Sequence, residues 1–137
     1  MPEPSPADLV IKGGTVLDER GRRTADVAIS DGMIVEVAES IEPGSASVLD
    51  AGDCLVAPGL VDLHVHLREP GREEAETIET GARAAALGGF TAVLAMPNTE
   101  PAIDSVAVAR EVLDKGRDAL VDVYSSGSIT VGRKGEQ

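Results

Sequence analysis

The sequence predicts an α/β chain in which a β-rich first part, residues 1–57, leads into the opening strand–helix units of a parallel sheet, residues 58–137. Three observations predict it. Short β-branched runs separated by Gly- and Asp-containing turns fill the first part. From Pro58-Gly59 onward, apolar runs of strand length alternate with stretches of helix length. Between them, Asp62-Leu63-His64-Val65-His66-Leu67-Arg68 alternates polar and apolar residues and holds both histidines of the chain.

In the first part, Leu9-Val10-Ile11 runs into Gly13-Gly14 and then Thr15-Val16-Leu17. Val27-Ala28-Ile29 and Met33-Ile34-Val35-Glu36-Val37 flank Asp31-Gly32, a hairpin signature. Val48-Leu49 and Leu55-Val56 continue across the turn Ala51-Gly52-Asp53. Together they predict a small, incomplete antiparallel sheet, with Cys54 as a small core residue.

In the second part, a strand is predicted from Val61 to Leu67 and a helix from Glu73 to Leu87. The helix is acidic at its start, which suits the macrodipole, and it stops at Gly88-Gly89. Gly81 inside it is a mild cost. Phe90 to Met96 is nearly all apolar, as a parallel strand covered on both faces should be. Pro97-Asn98-Thr99 breaks it. Asp104 or Ser105 caps a helix to Lys115, with Val106, Ala109, Val112 and Leu113 at helical spacing and Gly116 at its end. Leu120 to Tyr124 is a third strand, and Ser125 to Gln137 a polar tail. Right-handed βαβ units follow. Three strands and two helices cannot close a (β/α)8 barrel, which takes about 250 residues, so the sheet is either open and complete or the start of a barrel.

Composition narrows the function classes. The 137 residues are 42% hydrophobic, enough for a core, and carry 24 acidic against 12 basic side chains for a net charge of −12. That balance disfavours nucleic acid and anionic membrane as partners, and any anion site must rest on local positive charge. Phe90 and Tyr124 are the only aromatics, too few for base stacking. One cysteine allows no intrachain disulfide. The Pro-rich opening, Met1-Pro2-Glu3-Pro4-Ser5-Pro6, is not a secretory signal, and no run approaches the roughly 20 apolar residues that span a bilayer, so a cytoplasmic location is expected.

The chemistry concentrates on one strand. His64 and His66, two apart, put two imidazoles on one face, and a divalent ion such as zinc takes imidazole nitrogen readily. Asp62, one step earlier, is placed to hold a ring N–H behind a metal ligand, or else to bind backbone amides at the strand entrance. Arg68 falls at the strand end, where parallel sheets place their sites. Its fork of donors fits a carboxylate, with a surface salt bridge to Glu69 or Glu73 as the alternative. Asn98, after the next strand, either hydrogen-bonds a polar ligand or shapes the turn with Pro97.

These residues bring a resemblance with them. His64-Val65-His66-Leu67-Arg68-Glu69-Pro70-Gly71, Glu76-Thr77-Ile78-Glu79-Thr80-Gly81, Gly88-Gly89-Phe90-Thr91 and Met96-Pro97-Asn98-Thr99 strongly resemble dihydroorotase, of the metal-dependent amidohydrolase superfamily. Ile11-Lys12-Gly13-Gly14 and Ala57-Pro58-Gly59-Leu60-Val61-Asp62 are similar to how such enzymes begin. Allantoinase and hydantoinase are the neighbouring alternatives. Arg68 directly after His-Leu, with the Met96–Thr99 motif, looks more like dihydroorotase, whose substrates carry a carboxylate.

The resemblance implies a partial TIM-like (β/α)8 barrel, its first two or three βα units, preceded by part of a small β-sandwich domain. It implies reversible cyclisation of N-carbamoyl-L-aspartate to dihydroorotate in pyrimidine biosynthesis, with metal-activated hydroxide attack in the hydrolytic direction. It implies zinc, one or two ions per complete enzyme, on His64 and His66. It implies substrate contacts from His66, Leu67, Arg68 and Asn98. Homodimerisation or association with aspartate transcarbamoylase is a family possibility, as is a non-catalytic scaffold. Family members are roughly three times as long and draw further ligands and a general base from later strands. The 137 residues are therefore expected to be an inactive N-terminal portion, with the base beyond Gln137.

Overall fold

The computed structural model describes residues 7–136. The Pro-rich opening and Gln137 lie outside the described residues. The chain divides into two compact units, Met1–Pro58 and Gly59–Gln137. Among the described residues no helix is long and apolar enough to cross a membrane.

The first unit is a five-stranded sheet of β1 (Leu9–Asp18), β2 (Gly21–Ser30), β3 (Met33–Ala38), β4 (Ser47–Asp50) and β5 (Leu55–Val56). The order is β3-β2-β1-β4, with β5 also on β1. β1 and β2 pair antiparallel, but β4 and β5 run parallel to β1. The sheet is thus mixed rather than antiparallel, because the chain after β3 crosses over instead of turning back. The β2–β3 hairpin forms as expected, with Asp31 at φ 51° and Gly32 at φ 74°, both in the left-handed region that a tight primed turn requires.

Gly13-Gly14 does not end a strand. The register passes from Ile11↔Val27 to Gly14↔Ala25, so Lys12 and Gly13 together oppose Asp26 in a β-bulge with Gly13 at φ 74°. The extra residue exchanges the faces of β1. Before it, Val10 packs with Ala28 and Ile41, and after it Val16 packs with Ala25 and Val27. Asp26, buried, stitches the bulge. Its carboxylate accepts from Gly13 N (2.8 Å) and Ile41 N (2.9 Å) and pairs with Lys12 Nζ (2.9 Å). Lys12 also donates to Ile41 O (2.7 Å), so the crossover segment is held at both its amide and its carbonyl. Cys54 is exposed rather than in the core, since the turn before it, with Asp53 at φ 62°, carries it to the surface.

The second unit is a two-layer α/β arrangement of β6 (Leu60–Val65), α1 (Ile78–Leu87), β7 (Phe90–Ala95), α2 (Val106–Gly116) and β8 (Asp122–Ser125), followed by a 3-10 turn at Val131–Arg133. The strands lie in the order β6-β7-β8, all parallel. Both helices pack on one face, around Ile78, Ala82, Val93, Ile103, Val112 and Val123. α1 starts at Ile78, not Glu73, because Thr77 makes a capping box with Thr80 while residues 69–77 are tied into turns. In α2 the buried stripe runs through Val108, Ala109 and Val112, so Val106 (74% exposed) and Leu113 are outside it. Leu120 is exposed and precedes β8. Gly81 lets α1 sit on Leu67, whose Cδ2 would lie 2.6 Å from an added Cβ.

Two predictions follow from these contacts. The donors Gly13, Ile41 and Lys12 hold the Asp26 carboxyl at about 2, against 3.8 for an ordinary aspartate. A folded-state pKa below the unfolded value stabilises above the unfolded pKa, and that stability is lost as pH falls toward about 2. Chemical denaturation of wild type and Asp26→Asn at neutral and acid pH should show wild type more stable by on the order of 2 kcal/mol at neutrality, the gap closing between pH ~4 and ~2. Secondly, a Cβ at Gly116 would stand 2.6 Å from Val123 Cβ, an atom too near the backbone to yield. Gly116→Ala should therefore destabilise by roughly 1–3 kcal/mol in thermal melts, although alanine is the better helix former.

Candidate active site

β6 ends at Val65, two residues earlier than its alternation predicts, and His66, Leu67 and Arg68 belong to the loop that follows. The polar stripe is also interrupted. The register passes from Asp62↔Val93 to Val65↔Ala95, so two residues of β6 face one of β7. Asp62 is therefore in register with Val93, a residue of the helix-side core, and it borders a cavity of about 200 Å³ lined also by His66, Glu76, Gly81 and Ala85. Its carboxylate accepts from the His64 amide (2.9 Å). Asp62 thus serves the backbone at the irregularity and holds no imidazole N–H, the first of its two expected roles giving way to the second.

The imidazoles are brought together. The ring centroids of His64 and His66 are 5.2 Å apart, with the planes at 67°. An ion about 2.1 Å from one nitrogen of each ring lies about 3.2 Å from each centroid, and a tetrahedral angle then separates the centroids by about 5 Å. The observed spacing fits two ligands of one such ion. Among the described residues no group of three His, Cys, Asp or Glu side chains is disposed to complete a shell.

Asn98 follows β7, whose end is tied to β6 by Met96 N donating to Val65 O (2.9 Å). Its Oδ1 lies 2.7 Å from His66 Nδ1. An amide oxygen only accepts, so Nδ1 is the donor in this contact, and in the neutral ring that leaves Nε2 as the nitrogen with a lone pair for a ligand. Asn98 thereby fixes the ring in the way expected of Asp62, a role that its place in a turn motif did not signal.

Leu67 is the other departure. Its side chain is buried in the helix-side core with Ile78 and Ala82. It lines the same cavity as Asp62 and His66, and its carbonyl accepts from Glu69 N (2.8 Å).

Arg68 is exposed, with its backbone in the left-handed region at φ 64°. Its carbonyl accepts from Arg72 N (3.1 Å). Its guanidinium makes no ion pair among the described residues, because both candidate carboxylates are engaged elsewhere. Glu69 accepts from Ile78 N (2.8 Å) with one oxygen and from Lys115 Nζ (2.7 Å) with the other. Glu73 accepts from Gly71 N (2.8 Å), which lowers its pKa. Glu69 first and Glu111 second raise the pKa of Lys115. The loop is braced again by Glu100 N donating to Pro70 O (3.0 Å), and Gly71, at φ 98°, passes so close to the Glu100 carbonyl that any Cβ would collide with it.

The ring pair can hold a cation between two imidazoles, and the loop that carries His66 also exposes the Arg68 guanidinium, a group that suits an acid. Known proteins resemble the chain as a whole. The chain is 53% identical over 133 residues to the dihydroorotase of Anaeromyxobacter dehalogenans and 49% identical over 133 residues to that of Geobacter sp. (strain M21), in each case over 94% of this chain and 31% of the relative. It therefore spans about a third of the length of these relatives. Among solved structures, the L-hydantoinase (dihydropyrimidinase) from Arthrobacter aurescens superposes with a TM-score of 0.78 at 26% identity, covering 89% of this chain and 28% of that one. The dihydropyrimidinase from Brevibacillus agri superposes at 0.75 and 28% identity, over 88% of this chain and 27% of that one. The dihydro-orotase-like profile matches residues 53–137, the stretch that holds both imidazoles, Arg68 and Asn98, and on this match the chain belongs to the dihydro-orotase-like family.

Proposed function

We propose that this chain supplies one wall of a dihydroorotase active site, in an enzyme that interconverts N-carbamoyl-L-aspartate and dihydroorotate. The observation that carries the reading is the pair of imidazoles whose spacing fits one ion, followed two residues later in the same loop by an exposed guanidinium with no ion pair among the described residues. The relatives near 50% identity that are named dihydroorotase support it. On this reading the parallel β6-β7-β8 sheet, with helices on one face only, is the opening of a (β/α)8 barrel, and the first unit is part of a β-sandwich.

His64 and His66 would hold zinc, His66 through Nε2. Bound there, a divalent ion supplies Lewis acidity toward a carbonyl oxygen and a water molecule. Arg68 takes the substrate carboxylate, its two parallel N–H donors matching the two oxygens. Asn98 keeps Oδ1 on His66 and has Nδ2 free to donate to the same carboxylate, which ties substrate orientation to ligand orientation. A catalytic zinc site takes three protein ligands and an open position, so the remaining ligands and the proton-transferring base come from outside these 137 residues, and the chain alone is inactive.

The superposed hydantoinase structures favour a second reading, action on an uncharged cyclic amide. Arg68 separates the two. In a chimera that carries residues 7–136 of this chain in place of the matching part of the Anaeromyxobacter enzyme, dihydroorotate should be hydrolysed and Arg68→Met should raise KM roughly ten- to a hundredfold. Hydrolysis of hydantoin, indifferent to Arg68→Met, would refute the first reading. Independently of turnover, Asn98→Leu should weaken zinc binding roughly ten- to a hundredfold in calorimetry and release the His66 ring from its Nδ1–H tautomer in ¹⁵N spectra.

A further inference from the structure

We infer that Lys115, at the far end of α2, is a specificity-determining positioning residue that keeps Arg68 available to anions by sequestering Glu69. The inference rests on the reading of Arg68 as a carboxylate-binding group, and it adds a residue that neither the imidazoles nor the loop motif includes. In a chain of net charge −12, a guanidinium next in sequence to a carboxylate has an obvious intramolecular partner. Glu69 is not free to be that partner. Its Oε1 is 2.7 Å from Lys115 Nζ and its Oε2 takes the first amide of α1, Ile78 N, at 2.8 Å. Its side chain is 14% exposed, turned inward between the helices while the exposed Arg68 lies outside. Lys115 is itself steadied by Glu111, one helical turn back at 3.1 Å. Glu73, the other candidate acid, accepts from the Gly71 amide with one oxygen. The backbone at Arg68 is left-handed, and Glu69 N is bonded back to Leu67 O.

Loss of the Lys115 ammonium leaves Glu69 Oε1 without its cation and open to Arg68, its neighbour in sequence. The variant is then neutralised at the anion site while every residue that would touch the substrate remains. Lys115→Arg preserves the cation. In Lys115→Met/Glu69→Gln the competing charge is gone, and glutamine still offers an oxygen to Ile78 N.

The test is side-chain NMR of the 137-residue chain, following the Arg68 Nε–Hε resonance (assigned by its loss in Arg68→Lys) during titration with N-carbamoyl-L-aspartate. In Lys115→Met the resonance should move to an ion-paired position before any titrant is added, and the dissociation constant should rise about fivefold, the upper worth of an exposed ion pair. Lys115→Arg should match wild type, and the double variant should regain wild-type affinity. A Lys115→Met chain with an unmoved Arg68 resonance, or a double variant that stays weak, would overturn the inference. If wild type ignores the titrant while Lys115→Met still shifts Arg68, the sequestration is supported and the carboxylate-binding reading of the site is the part that fails.

Discussion

The carboxylate of Glu69 is the joint of the second unit. One oxygen starts α1 by accepting its first amide, and the other reaches α2 through Lys115. Both are charge-assisted bonds, and the first also sits at the positive end of a helix. Three elements that are distant in sequence thus meet on a single side chain in the loop that carries His66 and Arg68. The ring pair and the left-handed turn at Arg68 are positioned by that loop, so the site inherits its geometry from an acid that need not touch a ligand. The contact of Gly71 with Glu100 braces the same loop from the β7 side, where Asn98 also arises.

Charge is handled locally throughout. The chain is strongly acidic overall, yet three acids near the site are matched to particular donors: Asp62 to the His64 amide, Glu69 to Ile78 and Lys115, Glu73 to Gly71. Backbone amides do most of this work. An acid satisfied by amides exerts less pull on neighbouring cations than one facing solvent unpaired. This is how a chain of this composition can present positive charge to an anion, which its net charge alone argues against.

Much of this was legible in the residues. The β2–β3 hairpin and the alternation of strands and helices after Pro58 follow from local spacing, because turn chemistry and periodicity are properties of short stretches, and the two imidazoles do meet, although His66 lies in the loop after β6 and not on the strand. What escaped depends on partners far along the chain. The bulge at Lys12-Gly13 exists only against Asp26, and without β2 beside it Gly13-Gly14 looks like a terminus. Parallel pairing of β4 and β5 with β1 depends on the crossover pinned by Asp26 and Lys12. Asp62 follows a strict alternation on paper, but an irregularity against β7 places it in register with the helix-side core, where Leu67, of the apolar stripe, is buried as the alternation requires. Asn98 as a ring-fixing residue required knowing that two loops meet.

The bulge in β1 makes that strand unequally tolerant of different kinds of change. Because one additional residue exchanges inside for outside midway along it, Val10 and Val16 belong to opposite surfaces although they are an even number of positions apart. Substitutions that preserve length leave this arrangement intact. Loss of Gly13 would restore simple alternation and turn one half of the strand over, presenting its apolar side chains to water and its polar ones to the interior. In this strand it is the spacing of the chain, more than the identity of any one residue, that lineages must keep.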